Sequence, residues 1–335
     1  MQLYLNTYGT YLHVKDAMFE IRVPAEEKGA PAIIKHLAAH KVKGIVMSTS
    51  AALSTDAVVL ALKHNVDIVF SDAYGQPMGR VWHSKLGSTT RIRKRQLEAS
   101  LDERAVHWTM RWLSDKLNNQ VELLKRLKKH RAQHINYLDE KIHKIEGLLL
   151  ALQQHASAAT VAQVADQLRG LEGTAGRLYF EALSYLIPAQ YAFSGRSFRP
   201  AQDAFNAFLN YAYGVLYGKV EKALIIAGLD PYLGFLHRDD YNYKSLVYDY
   251  IEPYRTYADE VVFKLFAAKK VNQQHTDELA NGLQLNKEGK VLLLERLTKY
   301  LEEDKIKHRG RNQHRANIIQ LEAHAFANQL LLKSE

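Results

Sequence analysis

The spacing of apolar residues changes once along this chain, near residue 88, and that change limits the possible folds more than any other feature. On the N-terminal side Phe19, Ile21 and Val23 alternate with Glu20 and Arg22, and Pro24 ends the run. Alternation of this kind makes one face of an extended segment apolar, so residues 1–23 are predicted to be strands. Gly44 to Ser48 and Val66 to Ser71 are apolar runs of strand length, and between them Ser54 stands where it can cap a helix holding Val58, Val59, Leu60 and Leu62. Gly75-Gln-Pro77 reads as a turn, Met78 to His83 as a returning strand, and Gly87-Ser-Thr-Thr90 as the boundary.

Beyond that boundary the steps become three and four. Leu117, Val121 and Leu124 form one stripe, and Ile135, Leu138, Ile142, Ile145 and Leu149 form another. Lys125-Arg-Leu-Lys-Lys-His-Arg131 lies between them, so the pattern predicts one long helix with a basic patch at mid-length and an intramolecular packing seam. Further helices are predicted over 173–186, 201–226, 243–267, 286–303 and 312–332. Gly228-Leu-Asp-Pro231 supplies a stop after residue 226, because glycine can end a helix and proline cannot continue one. The expected class is α+β: a small β-rich N-terminal domain over 1–88, then a larger all-α domain over 89–335 that carries the chemistry.

At 335 residues the chain is long enough for two cores. It contains no cysteine, which excludes disulfides, thiolate metal sites and cysteine nucleophiles and suits a reducing compartment. No uncharged apolar run reaches membrane-spanning length and no signal pattern opens the sequence, so a cytoplasmic protein without membrane association is expected. From Arg80 to Arg131 there are 14 Lys and Arg against 5 Asp and Glu, a net of +9 (14 − 5) that equals the net charge of the whole chain. A localised basic block is what binding to a phosphate backbone requires, although a solvated helical face has the same composition.

Four side chains stand in distinctive phrases. Glu172 lies in Leu-Glu-Gly-Thr-Ala-Gly-Arg-Leu-Tyr-Phe (171–180), and His237 ends Gly-Leu-Asp-Pro-Tyr-Leu-Gly-Phe-Leu-His (228–237). Asp249 and Glu252 share Ser-Leu-Val-Tyr-Asp-Tyr-Ile-Glu-Pro-Tyr-Arg (245–255), three positions apart, so on a helix they project from one face. Each also has a structural reading. Glu172 near a helix start suits the helix dipole, His237 can be a hydrogen-bonded core histidine, and Glu252 can pair with Arg255 at i,i+3. Taken together, carboxylates and one imidazole suit a hard or borderline divalent cation, and the basic balance points to a metal-dependent enzyme acting on a polyanion. No Gly-x-x-x-x-Gly-Lys-Ser/Thr loop is present, which argues against ATP-driven chemistry.

These phrases resemble the CRISPR-associated spacer-acquisition integrases, the larger catalytic subunit of the CRISPR adaptation complex. The resemblance runs through Gly44-Ile-Val-Met-Ser48, Val69-Phe-Ser-Asp72 with Gly75, Lys116-Leu-Asn-Asn-Gln120, Arg199-Pro-Ala-Gln-Asp-Ala-Phe-Asn206 and Leu209-Asn-Tyr-Ala-Tyr213. The chain departs from the family in the acidic, aromatic Arg-Asp-Asp-Tyr-Asn-Tyr-Lys segment (238–244), and in Glu252, where some relatives carry Asp. The resemblance implies a metal-dependent DNA endonuclease and integrase that inserts short foreign DNA into a CRISPR repeat. Glu172, His237 and Glu252 would be its ligands for Mn²⁺ or Mg²⁺, and Asp249 would be a further ligand or a support for His237. It also implies double-stranded DNA as substrate, a homodimer with much of its contact in the N-terminal domain, and a small adaptation partner protein. Arg177, Arg196 and Arg199 lie in the matching phrases and are candidates for positioning phosphates. Arg91, Arg93, Lys94, Arg95, Lys125, Arg126, Lys128 and Lys129 of the basic block are candidates for DNA contact. Tyr179, Tyr211 and Tyr213 either pack the site or meet a strand. The alternatives are a catalytically silent nucleic-acid scaffold, a phosphodiesterase for small nucleotides, and a structure-selective metal-dependent nuclease acting in DNA repair.

Overall fold

The computed structural model describes residues 2–25, 31–47, 50–72, 77–81, 89–237 and 243–332, in two compact units, Met1–Leu86 and Gly87–Glu335. The turn at Gly75-Gln76, Ser48, the end of the Met78–His83 strand, the Gly87-Ser88 boundary and residues 238–242 lie outside the described residues.

The first unit runs β1 (Gln2–Leu5), β2 (Tyr11–Lys15), β3 (Met18–Val23), β4 (Ile33–Ala38), β5 (Gly44–Met47), β6 (Ala52–Leu53), α1 (Thr55–Lys63), β7 (Asp67–Ser71) and β8 (Pro77–Val81). One sheet has the order β1-β5-β7-β8 and the other β4-β3-β2-β6. The β2–β3 hairpin turns on Asp16 and Ala17, both at positive φ (49° and 57°), as a two-residue turn matched to strand twist demands. Ser54 caps α1 as expected, its hydroxyl accepting the Ala57 N–H at 3.2 Å. Leu12, Phe19, Ile21, Ile45 and Ile68 form the core with Ala57 and Ala61 of the helix; full burial of each large side chain contributes about 1.5–3 kcal/mol. Glu20 departs from simple alternation. It is buried because cross-strand His13 and His36 each place Nε2 2.7 Å from its carboxylate while Arg22 Nε donates to it at 2.8 Å.

The second unit runs α2 (Thr89–Ala99), α3 (Glu103–Lys128), α4 (Ile135–Gln153), α5 (Ala165–Leu186), α6 (Ala204–Ile226), α7 (Ser245–Tyr250), α8 (Arg255–Ala267), β9 (Thr276–Leu279), β10 (Gly282–Leu285), α9 (Lys287–Thr298), β11 (Lys305–His308), β12 (Arg311–His314) and α10 (Arg315–Leu331). It is a helical assembly with two antiparallel ribbons, β9–β10 and β11–β12, set between helices.

The long helix expected across 117–149 is instead two helices, α3 and α4, packed on each other. The cations that were expected at mid-length sit in the last turn of α3, where they oppose the negative end of the helix dipole, and Arg131 Nη1 donates to the otherwise unpaired Leu127 carbonyl at 3.0 Å. Over 243–267 the helix is also split. Pro253 has no N–H to continue α7, and a 3-10 turn over Glu252–Tyr254 links it to α8. Gly228, at φ 84°, ends α6, and its N–H reaches Ile225 O at 3.0 Å. Among the described residues no helix is long and apolar enough to cross a membrane.

Candidate active site

A cleft of about 700 Å³ in the helical unit is lined by Lys116, Glu172, His237, Glu252 and Arg255, with Tyr213, Tyr217 and Tyr248 in its walls. Five segments meet there: α3 brings Lys116, α5 Glu172, the loop after α6 His237, the 3-10 turn Glu252, and α8 Arg255. Two fastenings hold the parts in place. Asn119 Nδ2 donates to Pro253 O at 2.8 Å, tying α3 to the turn that carries Glu252. Gln96 of α2 is wholly buried and grips the loop leading to His237, donating to Asp230 O (2.9 Å) and Leu233 O (2.8 Å) and accepting the Asp230 N–H (2.9 Å).

Asp249, 3% exposed, is used entirely inside the protein. Its Oδ2 accepts the N–H groups of Phe235 (2.5 Å) and Leu236 (3.0 Å), and its Oδ1 accepts the N–H of His237 (3.1 Å) and meets His237 Nδ1 at 2.6 Å. With Nδ1 engaged by a carboxylate, the imidazole presents the lone pair of Nε2. The loop approaches so closely that only glycine fits at 234: a Cβ there would stand 2.5 Å from Ser245 Cβ and 2.9 Å from Asp249 Oδ2.

Glu252, 5% exposed, has a cation on each oxygen. Arg255 Nε donates to Oε1 at 2.9 Å, and its Nη2 continues to the Tyr217 hydroxyl at 3.0 Å. Lys116 Nζ lies 2.5 Å from Oε2 and also contacts Glu172 Oε1. Burial pushes the Glu252 carboxyl up, but the Arg255 guanidinium and the Lys116 ammonium outweigh it and hold the group down at about 2. Burial likewise presses the Lys116 ammonium towards neutrality, and the two carboxylates reverse this and raise it above the usual lysine range. The Lys116 contact to Oε2 is an ion pair without hydrogen-bond direction, so that oxygen is buried with no hydrogen-bond partner.

The structure therefore brings Glu172, His237 and Glu252 into one cleft. Among the described residues, no three His, Asp or Glu groups converge at metal-ligating distance, and the Lys116 ammonium bridges the two glutamates. The donors nonetheless suit a divalent ion: an undirected buried carboxylate oxygen on Glu252, a second carboxylate, and an imidazole whose other nitrogen is anchored. In the sequence Lys116 stands out only as the first residue of Lys116-Leu-Asn-Asn-Gln120. The available signal was a lysine on the same buried stripe of α3 as Leu113, Leu117 and Val121.

Other candidates separate clearly. Arg177 lines the cleft and pairs with Glu181 at 2.8 Å. Arg196 also lines it, its guanidinium between the Phe180 and Tyr213 rings and bonded to Asn206 and Asn210. Arg199 stacks on exposed Phe198. Tyr179 and Tyr213 are core residues that donate to buried Asp259 (3.0 and 2.6 Å), and Tyr211 is buried as well. In the basic block, Lys125 pairs with Glu146 at 3.0 Å, Arg126 with Glu260 at 2.7 Å, Lys128 with Asp139, and Arg95 with Glu98 at 2.6 Å. Arg91, Arg93, Lys94 and Lys129 are exposed.

A strand-rich N-terminal unit followed by a mostly helical unit that holds this cleft is the arrangement found in CRISPR-associated Cas1 proteins. A family model described as CRISPR associated protein Cas1 matches residues 3–299. The CRISPR-associated endonuclease Cas1 1 of Archaeoglobus fulgidus is 34% identical over 334 residues, 96% of this chain and 94% of its own. The chain belongs to the Cas1 family. Two of the solved structures that share its fold illustrate the likeness. A casposase bound to integration product has a TM-score of 0.83 at 23% identity, covering 98% of this chain and 90% of its own. A Cas1 protein from Thermotoga maritima has a TM-score of 0.78 at 21% identity, covering 100% and 98%.

Proposed function

We propose that this chain is a divalent-metal-dependent DNA endonuclease and integrase that inserts short foreign DNA into a CRISPR repeat by phosphodiester transesterification. The observation that carries this reading is the gathering of Glu172, Glu252 and His237 in one cleft beside Lys116, Arg255 and Arg196, in a chain of the Cas1 family. Glu172, Glu252 and His237 Nε2 would hold Mn²⁺ or Mg²⁺, the imidazole favouring manganese. Such an ion, when bound, neutralises charge building on the phosphate oxygens and lowers the pKa of an attacking hydroxyl.

The remaining work falls to the protein's own groups. Asp249 fixes the tautomer and aim of His237, and Arg255 keeps Glu252 ionised and oriented through Oε1. Arg177 and Arg196 place positive charge on the cleft wall, where a DNA backbone would run. Arg91, Arg93, Lys94 and Lys129, exposed on the surface, extend that role. With a DNA 3′-hydroxyl as nucleophile the outcome is strand transfer; with water it is a nick. Joining both ends of one insert needs two sites at fixed separation, so the working form is a homodimer, assembled with the small adaptation partner and making contact through the N-terminal unit.

Strand transfer exchanges one phosphodiester for another, so the same site should run it in either direction. A branched DNA mimicking the half-integrated product, incubated with the protein and Mn²⁺, should release a strand with a 3′-hydroxyl and reseal the target. Hydrolysis of the branch with the target left open would replace this reading with a structure-selective nuclease. Light scattering at working concentration should report at least a dimer.

A further inference from the structure

The charges around the cleft are balanced before any metal ion enters. Its lining carries five Lys and Arg side chains, and the carboxylates of Glu172, Glu181 and Glu252, with Asp166 on Arg169 and Asp249 on His237, match them (5 − 5). At its centre Lys116 and Arg255 offset the two glutamates that would ligate an ion, and Asp249 behind His237 leaves a net of −1 (2 − 3). Lys116 and Glu252 are both about 5% exposed, so little water screens the charge between them, whereas Glu172 and His237 face the open cleft. Adding a divalent ion alone would leave one uncompensated positive charge (−1 + 2), next to a buried ammonium. A DNA phosphate brings the missing negative charge.

We infer that Lys116, seated between Glu172 and Glu252, makes divalent-metal binding at this site conditional on a DNA phosphate, so that ion and backbone enter together. The inference rests on the metal-dependent reading above and adds an order of binding and a residue that sets it. Lys116 is a positioning residue here: it holds the two carboxylates together in the free protein and resists the ion through its charge. Linkage is reciprocal, so the ion must tighten DNA binding by the same factor that DNA tightens ion binding.

The test is manganese uptake, followed by the electron paramagnetic resonance signal of free Mn²⁺, in the full-length protein with and without a branched duplex. Wild-type protein should bind Mn²⁺ at least about tenfold more tightly with the duplex, as expected for an added charge at short range. The same duplex with an uncharged methylphosphonate at the junction should lose that gain. Lys116→Met should bind Mn²⁺ at least about tenfold more tightly than wild type without DNA, and should depend less on the duplex. Wild-type uptake that ignores DNA, or a gain that survives the methylphosphonate, overturns the inference whether or not the variant folds. In a folded Lys116→Met protein, unchanged affinity without DNA also overturns it. Measurable but uncoupled uptake leaves the metal-dependent reading standing; no uptake in any state removes both.

Discussion

His237 Nδ1 lies 2.6 Å from Asp249 Oδ1, and the same carboxylate accepts three consecutive backbone N–H groups from Phe235 to His237. One buried side chain therefore shapes the loop and orients the imidazole. Asp249→Ala leaves three buried donors unpaired, at about 1–3 kcal/mol for each unsatisfied group. It should lower the unfolding midpoint markedly and lose strand transfer. His237→Ala should lose strand transfer with a much smaller change in stability and with DNA affinity retained, because affinity comes from distributed phosphate contacts. Thermal unfolding beside strand-transfer and binding assays separates the two; equal destabilisation by both would contradict the clasp.

Gly234→Ala tests the same clasp from the other side. The new methyl group would meet Ser245 Cβ at 2.5 Å and Asp249 Oδ2 at 2.9 Å, so the loop must move away from α7. Overpacking of this kind costs about 1–3 kcal/mol. Denaturant unfolding should show that loss, and strand transfer should fall with it.

Asp259 supplies a pH signature. Burial pushes its carboxyl up, the hydroxyls of Tyr213 and Tyr179 pull it part of the way back, and it stands at about 6 against an ordinary 3.8. Between those values the unfolded chain has released the proton and the folded protein has kept it. This contribution to stability is therefore present below pH 3.8, declines as pH rises to about 6 and is flat above. Asp259→Asn removes it, so the stability of the variant relative to wild type should rise across that window by up to about 3 kcal/mol. A difference that does not change with pH would show that Asp259 does not titrate there.

Salt dependence distinguishes the two parts of the basic block. Neutralising Arg91, Arg93, Lys94 and Lys129 should lower the slope of log affinity against log salt by about 0.9 for each DNA phosphate that no longer meets a cation. Neutralising Lys125, Arg126 and Lys128 should change it less, since Glu146, Glu260 and Asp139 already hold them. Equal effects would mean that these ion pairs open when DNA binds.

Features that depend on neighbours in the sequence were legible in it. Alternation at Phe19 and Ile21, the Ser54 cap, the Gly228 stop and the Glu252–Arg255 pair each involve residues a few positions apart, whose geometry follows from strand or helix spacing alone. The break after Lys128 was encoded too, as a run of cations suited to a helix end, but apolar periodicity on both sides concealed it. The resemblance supplied Glu172, His237 and Glu252 as a group. What only the tertiary structure decided is the company they keep: Lys116 between two glutamates, Gln96 gripping a loop 134 positions away, and Asp249 engaged by backbone N–H groups. Periodicity says which face of a helix turns inward and leaves open which other helix it meets. The charge balance of this cleft is set by that packing, because a buried carboxylate is shaped by whichever groups lie within a few ångströms, however distant they are along the chain.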